Sequence, residues 1–174
     1  MTDQPILTHI IHVHQLPAGG ETIEIGADEK ARKEMAQAYG VKEVTSFRAQ
    51  LTAKPSGRDS VAVSGRIEAD IVQICGVTLD PFPVRMEEDV NMLLAPPQEA
   101  SEEDEEAVEN LDLPDPLLGN TIDLGAIALE FFALGIDPYP RKPGIEFTDH
   151  VESEEQENPF AALAKLRLDD QKKQ

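Results

Sequence analysis

The stretch VTSFRAQLTAKPSGRDSVAVSGRIEADI, residues 44–71, decides the fold. On its first arm Phe47, Ala49, Leu51 and Ala53 are apolar, and the residues between them, Arg48, Gln50, Thr52 and Lys54, are polar or charged. Pro55-Ser56-Gly57-Arg58-Asp59 has the composition of a turn. On the second arm Val61, Val63, Ile67, Ala69 and Ile71 are apolar, while Ser64, Arg66, Glu68 and Asp70 are not. Successive strand side chains point to opposite faces. Two period-two runs about a polar turn therefore predict an antiparallel hairpin with one face buried and one in water.

Working outward, Ile6 to Leu16 is rich in apolar and β-branched residues and ends at Pro17-Ala18-Gly19-Gly20, which predicts a strand and a turn. Thr22 to Ile25 alternates as a short strand. Asp28 is placed to cap a helix over residues 29–39, and Gly40 to stop it. Downstream of the hairpin, apolar chain continues through Cys75 to Leu79. Pro81 and Pro83 interrupt it, and Val84 to Leu94 reads as a further strand. Pro96-Pro97 then opens an acidic segment, 96–119, too polar and too like-charged to offset its ordering entropy. Ile122 to Leu134 is apolar on two faces and predicts a core helix, capped by Asn120 or Thr121 with Asp123 in the first turn and Gly135 at the end. Asn158-Pro159 predicts the start of a short helix through Leu168. The sum is an α+β fold: an antiparallel β-sheet with a few packed helices in one domain, 1–174. An acidic flexible loop (96–119) interrupts it and a loosely attached tail (149–174) follows.

The chain has 174 residues and a net charge of -19, unevenly spread. Residues 1–85 carry 9 basic and 11 acidic groups, whereas residues 86–160 carry 2 and 21. Such a balance argues against non-specific polyanion binding but leaves room for a local basic face on the first half. No run approaches the roughly 18 apolar residues that a membrane span needs. The first residues lack the pattern of a signal peptide, and the single cysteine fits a reducing compartment, so a cytoplasmic location is expected.

Candidate chemistry is sparse. His12 and His14 would share a face of a strand, but a metal site needs a third ligand, and strand histidines half in water outweigh it. Cys75 stands alone in an apolar strand and reads as a buried, inert thiol. Glu130, on the apolar helix, reads as exposed or paired rather than catalytic. No phosphate loop, nucleophile elbow or Walker lysine is present. The expectation is a protein that is not an enzyme, with no catalytic residue, metal, cofactor, membrane partner or small-molecule substrate.

Three segments carry a resemblance. Gly65-Arg66-Ile67-Glu68-Ala69 leads to Gln73-Ile74-Cys75-Gly76-Val77-Thr78-Leu79-Asp80-Pro81. Ile122-Asp123-Leu124-Gly125 is followed by Glu130, Leu134 and Pro138. Asn158-Pro159-Phe160-Ala161-Ala162-Leu163 comes last. In this order they resemble the YceD family, proteins associated with accumulation of large-subunit ribosomal RNA. Cys75, Leu79, Pro81, Asp123, Leu124, Glu130, Asn158, Pro159 and Phe160 match its motifs. The resemblance implies an accessory role in 50S maturation, with precursor 23S rRNA or a large-subunit ribosomal protein as partner. Many relatives have a C-x-x-C pair, with further Cys or His after the apolar helix, a pattern suited to zinc. Here Thr78 stands at the second cysteine position and residues 138–147 hold neither Cys nor His. The departure implies that packing replaces a metal staple. For RNA, the cations expected on solvent faces are Arg48, Lys54 and Arg66 of the hairpin and Lys30, Arg32 and Lys33 of the first helix. The competing function is an acidic adaptor or chaperone that holds a basic ribosomal protein.

Overall fold

The structure, a computed structural model, describes residues 5–57, 59–97 and 114–145. Its elements in chain order are β1 (Ile10–His12), β2 (Glu21–Gly26), α1 (Glu29–Ala38), β3 (Glu43–Pro55), β4 (Val61–Ile74), β5 (Pro81–Ala95), β6 (Asp115–Pro116), β7 (Thr121–Asp123) and α2 (Leu124–Gly135). The α+β expectation holds. The main sheet has the order β2-β3-β4-β5-β6, and β1 and β7 form a separate two-stranded ribbon.

The hairpin of residues 44–71 is the centre of that sheet. Ala53 pairs with Val63, Ala49 with Ile67 and Phe47 with Ala69, so the apolar positions of both arms share one face. On β5 the inward set is Phe82, Met86, Val90 and Leu94. Both helices cover this face and leave the other to water. Phe132 of α2 has no exposed surface and meets Tyr39 and Phe47 edge-on, at centroid distances of 5.4 and 5.6 Å. Each such contact adds about 1 kcal/mol beyond area burial. Phe132 thus joins α1, α2 and the sheet.

Gly65 shows how tightly β3 and β4 approach. A Cβ there would fall 2.0 Å from the Gln50 carbonyl oxygen, on β3 backbone. Asp28 Oδ1 accepts the Ala31 N–H at 2.7 Å, and Gly40 takes φ 69, so the first helix starts and stops as its sequence predicts.

Five expectations need correction. The strand expected over residues 6–16 is only Ile10–His12, because its partner β7 offers three residues; the chain then turns through Val13–Gln15. His14 therefore lies in that turn and no longer shares a strand face with His12. Pro81 and Pro83 do not interrupt β5 but begin it. An edge strand tolerates proline, and over this stretch β4 is the only neighbour of β5 among the described residues. Cys75 lies just beyond β4, in the turn to β5, not within a strand. Ile122 belongs to β7, and the cap of α2 is Asp123 rather than Asn120 or Thr121. Leu134, expected as part of the core helix, is 73% exposed, and Phe132 is the helix's central contact.

Residues 98–113 of the acidic segment, the tail 149–174 and the motif residues Asn158, Pro159 and Phe160 lie outside the described residues. At the far end of the acidic segment Asp115 and Pro116 pair in parallel with Leu94 and Ala95, and Leu117 is buried.

Candidate nucleic-acid interface

The water-facing side of the sheet carries Arg48 and Lys54 on β3, Arg66 on β4 and Arg85 on β5. Glu24, Glu68, Asp70, Glu87 and Asp89 lie among them. Glu68 and Glu87 are directly opposite, a like-charge pair that two arginines offset. Arg66 reaches Asp89 at 2.9 Å and Glu87 at 3.5 Å, while Arg85 reaches Glu87 at 3.0 Å and Glu68 at 3.6 Å. The hydrogen bond to Asp89 and the surrounding carboxylates raise the Arg66 pKa. Arg48 faces Glu68 in register without an ion pair, and Lys54 has none either among the described residues.

On α1 the expected cations are also largely engaged. Lys33 pairs with Glu29 at 2.6 Å and Lys30 with Glu34 at 3.6 Å. The Arg32 guanidinium donates to the Ala27 carbonyl at 2.8 Å. Arg32, Lys33, Lys42, Glu29 and Glu43 rim an open groove of about 650 Å³ between α1 and the start of β3, floored by Val41 and Val44. Its mixed charges do not select for an anion.

The turn from β4 to β5 and the loop after α2 form one end of the molecule. Gln73, the buried polar residue of the described core, donates from Nε2 to the Asp137 carbonyl at 2.9 Å. The Gly76 N–H donates to the Pro140 carbonyl at 2.9 Å, and the Lys142 N–H to Cys75 Sγ at 3.5 Å. These bonds tie the loop down to the turn. Cys75 has no exposed surface. The Lys142 N–H, then the Thr78 N–H and hydroxyl, favour the thiolate and lower its pKa to about 6. The thiol is buried as expected but more acidic than an inert one.

The N-terminal segment is locked to α2 by one carboxylate. Asp123 accepts from the His9 N–H and the Thr8 hydroxyl, each at 2.8 Å, and from the Gly125 and Ala126 N–H groups at 2.9 and 3.3 Å. Burial pushes this carboxyl up, but the four donors outweigh it and hold the pKa below the ordinary value. Gly125 makes the approach feasible, since a Cβ there would lie 2.6 Å from Thr8 Cα.

These glycine, aspartate and cysteine positions are those of the sequence motifs, and a comparison with known families decides what they mean. The profile of the family described as large ribosomal RNA subunit accumulation protein YceD matches residues 63–167. The chain belongs to the YceD family. No curated protein and no solved structure gives a significant match. As a YceD-family chain it has a role connected with accumulation of large-subunit ribosomal RNA, as the family description states.

The YceD motif residues within the described structure prove to be mainly structural. Asp123 caps, Leu124 is fully buried, and Cys75 sits in the turn that anchors the loop. Glu130 is exposed, and Leu79 is 75% exposed with φ 60. Among the described residues no three His, Cys, Asp or Glu side chains are grouped to hold a metal. Sequence reasoning missed Arg85 and the segment Pro138-Tyr139-Pro140-Arg141-Lys142. An aromatic residue beside two cations, in a stretch of otherwise acidic chain, was the available signal.

Proposed function

We infer that this YceD-family chain is a non-catalytic accessory factor in large-subunit biogenesis, acting in the cytoplasm to support processing or accumulation of 23S rRNA. The family match over residues 63–167 carries this reading. Lys30, Arg32, Lys33, Arg48, Lys54 and Arg66 supply cations for phosphate. Arg48 and Lys54 do so at least cost, having no ion pair to give up among the described residues. Lys30, Lys33 and Arg66 sit in exposed pairs worth at most about 1 kcal/mol each, which phosphate can displace. Depletion of the protein is expected to lower 23S relative to 16S rRNA, and the tagged protein to sediment with pre-50S particles. Unchanged rRNA ratios together with sedimentation only at the top of the gradient would refute it.

A second reading, an acidic adaptor for a basic ribosomal protein, is favoured by charge. Five carboxylates face four cations on the open side of the sheet, and residues 86–160 carry 21 acidic groups against 2 basic ones. RNase treatment separates the two. Association with basic ribosomal proteins that survives digestion of the RNA favours the adaptor.

A further inference from the structure

We propose that the end of the molecule formed by the 75–80 turn and the 137–142 loop is a contact for single-stranded RNA, with Tyr139 as a stacking platform and Arg141 and Lys142 as its phosphate contacts. This rests on the rRNA reading above and gives it a site away from the sheet face. Tyr139 is 81% exposed, against a half-buried Tyr39. Its position is nonetheless fixed. Pro138 and Pro140 restrict the backbone on both sides, and the Tyr139 N–H donates to Asp137 Oδ1 at 2.8 Å. The bonds from Gln73, Gly76 and Lys142 hold the loop to the β4–β5 turn. A ring presented on a rigid frame loses little freedom on binding.

The neighbouring turn holds a residue in a costly conformation. Leu79 takes the left-handed conformation at φ 60, which glycine or asparagine would adopt more cheaply, and its side chain is 75% exposed. Val77 on the same turn is also exposed. Apolar side chains held out of the core beside a free aromatic ring suit the faces of unstacked bases. Charge points the same way. Arg141 and Lys142 are exposed and have no ion pair among the described residues, and one oxygen of the nearby, exposed Asp137 carboxylate accepts the Tyr139 N–H. Two carboxylates, Asp80 and Asp137, match them in number, so the attraction for an anionic strand comes from two adjacent unpaired cations beside the exposed ring rather than from a net positive patch.

The chain has two tyrosines and no tryptophan, so a Tyr39→Phe background leaves Tyr139 as the fluorophore. The full chain is titrated with a mixed-sequence 20-nucleotide RNA at low salt, and fluorescence and labelled-RNA anisotropy are read together. Binding is expected to quench Tyr139 as it stacks. Tyr139→Ala is expected to weaken affinity roughly ten-fold, Tyr139→Phe to restore it, and Arg141→Glu with Lys142→Glu to abolish binding. Thermal melting of each variant should match the parent, since all three side chains lie in water. Binding with unquenched Tyr139, equal affinity of the variants, or no RNA binding by the parent at low salt each overturns the site. So does capture of a basic ribosomal protein that the charge reversal strengthens. Sedimentation with pre-50S particles is read independently, so the site can fail while the biogenesis reading stands.

Discussion

Asp123 Oδ1 accepts the backbone N–H of His9 at 2.8 Å across 114 residues of sequence, and the same oxygen accepts from the first turn of α2. One carboxylate thus ends the strand pairing of β1 with β7, begins the helix and fixes the N-terminal segment over the core. Asp123→Ala removes a cap and strands the His9 donor, and is expected to cost about 2 kcal/mol. Chemical denaturation of both proteins measures the difference.

The same carboxyl sets an acid dependence. Its folded pKa lies below the ordinary value of 3.8, so its contribution is complete above that value and is lost as pH falls through the lower folded pKa. Asp123→Asn should therefore show a shallower loss of stability than the parent as pH falls below about 4. Parallel acid titrations followed by circular dichroism check the slope.

Gly65→Ala is expected to separate β3 from β4, because the added carbon would meet backbone rather than a movable side chain. A loss of about 3 kcal/mol or failure to fold is the expected outcome. Serine at Gly57, where a Cβ meets nothing within 4 Å but φ is 74, should cost only about 1 kcal/mol. Comparable melting temperatures for the two variants would show that β3 and β4 do not approach this closely.

Cys75 should titrate as a thiolate with a midpoint of about 6, read by its ultraviolet absorbance. Its folded pKa lies below the ordinary 9.0. Its stabilising effect is therefore full above 9.0 and lost as pH falls through about 6. The stability gap between the parent and Cys75→Ala should widen from pH 6 towards pH 9. A midpoint near 9 would mean that the Lys142 and Thr78 donors do not reach the sulfur.

Arg66→Gln is expected to leave stability nearly unchanged, since its pairs with Asp89 and Glu87 lie in water. If the tip around Tyr139 is the main RNA contact, this variant keeps most of its RNA affinity and loses only the secondary phosphate contact of Arg66. A ten-fold loss would return the contact to the sheet face.

Residues 44–71 determined the hairpin by themselves, because period-two alternation is a local property, excludes the one-residue slip that would turn the apolar set outward, and brackets a turn that sets the pairing. Asp28 and Gly40 determined the ends of α1 in the same way. The motif order was sufficient to indicate the YceD family, and the match over residues 63–167 shows it. Only the tertiary structure decided what those motifs do. Asp123 looked like a first-turn residue until Thr8 and His9 arrived from the other end of the chain. Arg66 looked like a free cation until β5 placed Asp89 and Glu87 beside it. Pro81 and Pro83 looked like a break until β5 took the edge of the sheet. In each case the deciding partner lies far away in sequence, and a side chain's free energy depends on that partner as much as on its own chemistry.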